Sequence, residues 1–597
     1  MTGRRLLLIG LMPALMLVGV HLLLQELADW RILDGRLVGP DAYMRLLRVQ
    51  ELADTGVWFD PVSERSNAPY GEVLHWTRPL DLLLLSGAAV AAPLLGFAGA
   101  LFAWAAVMGP LLHIATLFLL LWAVRPMLEP RGLILLGLLF PALFFIAFVF
   151  AVGRPDHHAL NMMLFVAQLG FAVRLARSTC LDRLAIAAAA IGALALWISI
   201  EGMVGIGLTL LALAAGWIAD GRLAIRRAVI FTLVLTAGLT VALVLERPPT
   251  DLLAIEFDRI SVVYLCFLAM IAGFCLLLVV APDGRPGTRL LIAGAAAGVI
   301  LLAVKLLFPN FFLGPMAEMH PLVREVWFAN NAEVSPLLDP RHLVRSLPKA
   351  VAHLGLILFA VPAVILCMAR SSGEYRRIWA LLGLFLTLTF ALTLREVRWM
   401  GYPQILCLPP CIALLQGLFA RRPVRKRGLA AARAAAVIAV AAGPLVLGGL
   451  LRLALPLPET GKACEMPAIS AWLDSHYAER PQRIVNFIYP GSELLYRTRH
   501  SVVATPYHRN TAGMVDTIQL LRASDPAAAQ AIVERRRADL ILICPESPEA
   551  TNYRRTDPPS LLAQLEAGAP PDWLVPVALP PALAADFRLF QVRRGGF

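Results

Sequence analysis

Charge is scarce in this chain of 597 residues: Asp, Glu, Lys and Arg make up 16%, against 59% hydrophobic residues. With a mean hydropathy of +0.71, that excludes an ordinary soluble protein and indicates a polytopic membrane protein. Nucleotide-binding signatures are missing as well; no P-loop and no Gly-rich fingerprint is present. There is no internal repeat, no low-complexity tract, and no pair of Gly/Pro-broken helices in corresponding halves, the mark of many transporters. No small-residue cleavage site follows the first apolar run, LLLIGLMPALMLVGVHLLL after Arg4-Arg5, so that run reads as a retained signal anchor.

What the chain has in plenty is apolar sequence in lengths near the ~20 residues that cross hydrocarbon. Spans are expected near 6–24, 100–124, 132–152, 159–173, 184–200, 202–219, 228–245, 260–281, 290–308, 350–369, 378–394, 401–420 and 429–452. Arginines sort the loops between them: RPMLEPR, RLARSTCLDR, DGRLAIRR, PDGRPGTR, ARSSGEYRR and RRPVRKR all fall on one side, which marks it as cytoplasmic. The formal charge of +12 is therefore topological and implies no nucleic acid. Residues 80–96 fit the pattern when they lie in the outer interface or dip into it without crossing. The N-terminus is then cytoplasmic. The segments 25–99 and 309–349, GRPDHH at 153–158, REVRWMGY at 395–402 and the C-terminal part lie outside, in the periplasm of a Gram-negative cell.

The candidate chemistry thus collects on one face. GRPDHHALN, 153–161, stands between FFIAFVFAV and MMLFVAQLGFAV, where charged groups are costly enough to read as functional. Asp156 and His158 offer a carboxylate oxygen and an imidazole nitrogen, good ligands for Mn²⁺ and acceptable for Mg²⁺ or Zn²⁺. The alternative is a solvated loop with an Asp N-cap, and His157 is expected to point elsewhere. Asp41, in GPDAYMRLLRVQELADTGVWFDP, precedes a helical pattern with Tyr43, Leu46, Leu47 and Leu52 on one side. It is either an N-cap or a carboxylate held near the lipid surface by an amphipathic helix. Glu325 and Glu333 lie in EVWFANNAEVSPLLDP, and Glu201 in WISIEGMVG reads most simply as a turn residue. Arg395 and Arg398, in REVRWMGYPQ, either snorkel or clamp a phosphate. A cation held by carboxylates and histidine beside an arginine suits the departure of a sugar phosphate, which builds negative charge. A nearby carboxylate would orient or deprotonate the acceptor.

The order of these pieces resembles the catalytic subunit of oligosaccharyltransferases, which are C-type (GT-C) membrane glycosyltransferases. The pieces are Asp-x-Tyr after the first span, Asp-His-His between the third and fourth, NNAEVSP in a later outer loop, and Arg-Trp-x-x-Tyr before the twelfth. SNAPYGEVLHWTRPLD, 66–81, is similar to the family's stretch before its second span. The resemblance implies a polytopic α-helical fold of about thirteen transmembrane helices with an extracytoplasmic C-terminal α/β domain, divided here as 1–455 and 456–597. It implies Asp41, Asp156 and His158 as ligands of a divalent metal, Mn²⁺ or Mg²⁺. Arg398 would face the donor phosphate and Glu333 the acceptor site, with Asp41 and Glu333 as catalytic groups. FIYPGSELLYRTRHSVVATPYHRNTAGMVDT, 487–517, is similar to the region where the family carries Trp-Trp-Asp-Tyr-Gly. Here the pentad is Phe487-Ile488-Tyr489-Pro490-Gly491. In the family it holds the Ser/Thr of an Asn-x-Ser/Thr acceptor, so this departure puts sequon glycosylation in doubt.

The C-terminal part alternates helix-like and strand-like runs, which reads as a small α/β domain with a partly parallel sheet. It holds Cys464 and Cys544, two of eight cysteines; an oxidising outer compartment would let them pair and staple the start of the domain to its central strand. The implied activity is metal-assisted, inverting transfer of a sugar or glycan from a polyprenyl-phosphate or -diphosphate donor in the membrane lipid to an extracytoplasmic protein, lipid or polysaccharide. One alternative moves a single sugar from a polyprenyl-monophosphate donor to lipid or polysaccharide. Another, of a different class, is a transporter or flippase of lipid-linked substrates.

Overall fold

The computed structural model describes residues 3–29, 31–177, 181–281, 283–316, 319–420, 427–455 and 464–593. Parts of three basic loops (178–180, 282 and 421–426) and the expected domain boundary after 455 lie outside the described residues. The apolar runs are helical, the conformation that satisfies every backbone N–H and C=O where no water can. In chain order the first eleven helices are α1 (Gly3–Leu27), α2 (Pro40–Thr55), α3 (Arg78–Val124), α4 (Pro130–Leu139), α5 (Phe144–Val149), α6 (His157–Leu175), α7 (Asp182–Ile198), α8 (Met203–Asp220), α9 (Arg222–Glu246), α10 (Val262–Val280) and α11 (Pro286–Leu307). Among the described residues, nine helices are long and apolar enough to cross a membrane, with shorter apolar ones at Pro130–Ala142 and Gly443–Ala454. The protein is an integral membrane protein.

Several of the expected segments take less simple forms. The run 132–152 is interrupted by a 3-10 turn, Phe140–Ala142, between α4 and α5; Pro141 has no N–H with which to continue the helical ladder. The 47-residue α3 doubles back at Gly96, whose φ of 69° disfavours any side chain. Below the bend, Trp104 Nε1 donates to the carbonyl of Leu83 at 3.0 Å, and a Cβ on Gly87 would lie 2.2 Å from the same ring. Residues 78–95 therefore pack along the next leg as a hairpin. Val90 and Leu94 near its tip are exposed and apolar, the character of a segment that meets lipid.

The helix α2 does not lie open on a membrane surface, as its amphipathic pattern suggests. Residues 42–49 are all buried, because α3 covers one side and a C-terminal helix, Gly491–Arg497, the other. The Tyr43 ring sits 5.6 Å from that of Tyr496. Arg45 and Arg48 are buried with it and converge with Arg78 on Asp81, at 3.7, 2.7 and 3.2 Å.

The C-terminal domain is built on a mixed five-stranded sheet. The chain's first two strands, β1 (Val62–Ser63) and β2 (Glu72–Val73), form a separate antiparallel hairpin between α2 and α3. The sheet proper contains β3 (Arg483–Val485), β4 (Ser501–Val502), β5 (Leu540–Ile543), β6 (Leu574–Val577) and β7 (Arg588–Val592), in the order β4-β3-β5-β7-β6. β3 runs parallel to β4 and β5, while β7 runs antiparallel to β5 and β6. Cys544, which follows the central β5, is disulfide-bonded to Cys464. Met44, Leu47, Leu74 and Trp76, from the segment between α1 and α3, share one core with Ile484, Phe487 and Ile541, so apolar packing seats the domain on that segment. At the end of α6 remote from His157, Arg174 donates to the carbonyls of Trp122 and Ala123, and Arg377 clamps Asp220 at 2.9 and 3.0 Å.

Candidate active site

Two backbone bridges assemble the site. Gly153, at φ 73°, turns the chain after α5; its N–H donates to the Ala106 carbonyl at 3.0 Å, and its carbonyl accepts from the N–H of Val38 at 2.8 Å. A Cβ on Gly153 would fall 2.4 Å from Cδ1 of Ile32. This bridge ties the chain just before Asp41 to the chain just before Asp156. The second bridge pairs the N–H of Arg398 with the carbonyl of Glu333 and that of Val397 with Ser335, both at 2.9 Å. Asp41, Arg154, Asp156, His158, Glu201, Glu333 and Arg398 thereby line one cavity of ≈ 360 Å³, together with Tyr489, Tyr507 and His508 of the C-terminal domain.

Asp41 is not the cap of α2; Gly39 is. Burial, with Asp156 and Glu333 nearby, pushes the Asp41 carboxyl up to about 7. Asp156 is 1% exposed and occupies the N-cap position of α6 without making a side-chain cap bond. Its Oδ1 lies 2.6 Å from His157 Nδ1; its Oδ2 lies 3.5 Å from Arg154 Nη2 and 3.9 Å from His158 Nε2. Burial alone would raise this carboxyl, but His158, His157 and Arg154 hold it well below the ordinary range. For all that crowding, neither oxygen has an aligned hydrogen-bond donor.

The donor atoms of Asp156, His157 and His158 lie within 4.8 Å of one another. His157 therefore stands beside Asp156 and does not point elsewhere; its Nδ1 is also 3.5 Å from Arg45 Nη2. Asp41 faces the same cavity but does not complete a three-donor group of that tightness. Buried carboxylate oxygens without aligned donors, beside imidazole nitrogens, are a donor set that fits a divalent cation.

The surrounding charges orient these groups. His158 Nδ1 lies 3.1 Å from Glu201 Oε2, so Glu201 is a buried partner of a candidate ligand and more than a turn residue. Arg398 reaches Glu201 at 3.9 Å and donates through Nε to Glu396 at 2.7 Å. Arg154 donates to Glu333 Oε1 at 3.0 Å. Glu325, bonded to Arg522 at 3.3 Å, and the exposed Arg395 lie outside the cavity. In the pentad, Phe487 and Ile488 turn into the domain core, and Glu549 accepts from the backbone N–H groups of Ile488 and Tyr489 at 2.6 and 3.0 Å. Of the five residues, Tyr489 lines the cavity.

No protein-family model matches the sequence, and no curated protein matches it. Solved structures do. The chain resembles the oligosaccharyltransferase AglB of Archaeoglobus fulgidus in complex with an inhibitory peptide and a dolichol-phosphate, with TM-score 0.70 and 14% identity, covering 90% of this chain and 69% of that one. It resembles the Archaeoglobus fulgidus oligosaccharyltransferase tethered to an acceptor peptide containing the NVT sequon (0.67, 14%, 91% and 69%). A third likeness is to that organism's enzyme in complex with Zn and sulfate (0.61, 14%, 90% and 68%). The chain therefore shares the fold of the archaeal oligosaccharyltransferase structures.

Proposed function

We propose that the protein is a membrane glycosyltransferase. It moves a sugar or glycan from a polyprenyl-phosphate or -diphosphate donor to an acceptor on the extracytoplasmic side, with inversion. The observation that carries this reading is the single cavity shared by Asp41, Asp156, His158, Glu333 and Arg398 under the C-terminal domain. The dolichol-phosphate, the acceptor peptide, and the zinc and sulfate bound by the archaeal proteins support it. The arginine-rich loops support a cytoplasmic N-terminus, with residues 1–455 as transferase domain and 456–597 as extracytoplasmic domain.

Asp41, Asp156 and His158, joined by His157 on geometry, would hold a divalent metal, Mn²⁺ or Mg²⁺. Bound there, it supplies positive charge beside the donor phosphate. Arg398, steadied by Glu396, takes up the charge that grows on the leaving phosphate. Glu333, held by Arg154, and Asp41 orient the acceptor and receive its proton. One in-line attack at the anomeric carbon, with no covalent enzyme intermediate, inverts the configuration. The low-dielectric walls around the cavity, among them Trp197, Trp327 and Trp399, keep bulk water from competing as acceptor.

A second reading concerns the acceptor. With Phe487 and Ile488 packed inward, the pentad offers no side-chain donor or acceptor other than the Tyr489 hydroxyl. That favours transfer of a single sugar to a lipid or polysaccharide over recognition of a Ser/Thr-bearing sequon.

The test is consumption of polyprenyl-linked sugars by purified protein with and without chelator, beside Asp41→Ala and Asp156→Ala. Turnover that stops on chelation and falls at least ~100-fold in both variants is expected. Turnover indifferent to both, or vectorial movement of the intact lipid-linked sugar, overturns the reading.

A further inference from the structure

A second cluster of ligand-type side chains lines another part of the cavity that holds the Asp156 group. His75 comes from the first outer segment, Asp258 from the loop between α9 and α10, and His508 from the C-terminal domain. Their ligand atoms lie within 4.8 Å of one another. The two imidazole rings face each other with centroids 4.6 Å apart and an interplanar angle of 55°, too tilted to be a simple stack. Nδ1 of His75 is buried and has no hydrogen-bond partner.

We propose that His75, Asp258 and His508 form a second cation site, suited to Zn²⁺, that fastens the C-terminal domain to two outer loops. The donor set is the reason for the metal. Two imidazoles and one carboxylate make a borderline-soft, nitrogen-rich site of the type Zn²⁺ prefers, with a fourth tetrahedral position left for water. Asp258 is already oriented for that role. Arg509 donates to both of its oxygens at 2.7 Å, and His508 Nε2 lies 2.6 Å from Oδ2. Such charged partners behind a ligating carboxylate are the outer shell that fixes ligand geometry. A tetrahedral ion with bonds of about 2.0–2.1 Å draws its donors closer than they stand here, so binding tightens the contact among three segments that are remote in sequence. Because the cluster lines the cavity proposed for transfer, metal binding and not turnover is the property that tests it.

The experiment uses full-length protein in detergent, stripped with chelator, saturated with MnCl₂ and then titrated with ZnCl₂; bound metals are counted by elemental mass spectrometry. Wild type is expected to reach two bound metal ions per chain, a Zn²⁺ at this cluster besides the Mn²⁺, or the Zn²⁺ that replaces it, at the Asp156 group. His75→Ala and His508→Ala are each expected to weaken the second Zn²⁺ by at least ~100-fold with the ion at the Asp156 group retained, which also reports intact folding. X-ray absorption on the wild-type Zn²⁺ complex, which needs no variant, is expected to show two imidazole ligands. A total of one metal ion per wild-type chain, Zn²⁺ uptake unchanged in both variants, or a coordination shell without two imidazoles overturns the proposal.

Discussion

The backbone N–H of Arg398 donates to the carbonyl of Glu333 at 2.9 Å. Two candidates 65 positions apart in the chain therefore share one backbone bridge, and a disturbance at one reaches the other. Arg398→Ala and Glu333→Ala should accordingly not act independently. A double-mutant cycle on kcat/KM is expected to show a coupling energy of about 0.5–3 kcal/mol; strict additivity would mean that the bridge carries nothing between them.

Glu201 supports the site without being a candidate ligand. Its carboxylate orients His158, so Glu201→Gln is expected to leave folding intact and to weaken Mn²⁺ binding about 10–100-fold. Electron paramagnetic resonance of Mn²⁺ titrations reads that change. An unaltered affinity would reduce the Glu201 contact to packing.

Asp41 predicts a pH dependence. Without an ion its carboxyl titrates near 7, so below that pH a proton competes with the cation. Mn²⁺ affinity is expected to rise with pH up to about 7, by up to tenfold per unit, and then to level off. Asp41→Asn should bind more weakly throughout and lose that part of the slope.

Glu72 predicts the opposite trend for stability. It is buried and accepts from Ser66 at 2.5 Å and from Thr505 at 2.6 Å, linking the β1–β2 hairpin to the C-terminal domain. Burial raises its carboxyl to about 7, above the ordinary 4.5, although both hydrogen bonds oppose the rise. The folded state thus holds a proton that the unfolded state releases, so this contribution is full below about 4.5 and is lost as pH rises through 7. The thermal stability of wild type is expected to fall over that window, on the order of 1–3 kcal/mol, relative to Glu72→Gln. Parallel pH profiles for the two proteins would refute it.

The bond between Cys464 and Cys544 closes a loop with a sequence separation of 80. Peptide mass spectrometry without reductant is expected to recover the linked pair. Cys464→Ser should cost the C-terminal domain about 2–5 kcal/mol, read as a lower denaturant midpoint in full-length protein. Two free thiols in the native protein would remove the claim.

Much of the architecture was legible because hydrocarbon imposes a simple rule on sequence: apolar runs of span length become helices, and 262–280 or 286–307 leave no other choice. The stretch 80–96 was readable as an anomaly, and Gly96 supplies its physical reason. The apolar side of α2, with Tyr43, Leu46, Leu47 and Leu52, suggested a surface helix, but Arg45 and Arg48 are buried as well. On α2 they look like the wet face of an amphipathic helix, and the element that covers them begins at Gly491, far along the chain. His157, Glu201 and the trio of His75, Asp258 and His508 were not legible as a site for the same reason. Their roles come from partners set by tertiary packing, which no local spacing encodes.

Three guanidinium groups lean on the one carboxylate of Asp81, which is fully buried. Losing it would strand several positive charges in the dry interior, at a cost of about 3–5 kcal/mol or more. Asp81 is thus a keystone under the arch and not a tool on the bench. A dead enzyme carrying a change at Asp81 would speak of a collapsed scaffold, whereas one altered at Asp156 that still purifies as a well-behaved particle would speak of chemistry.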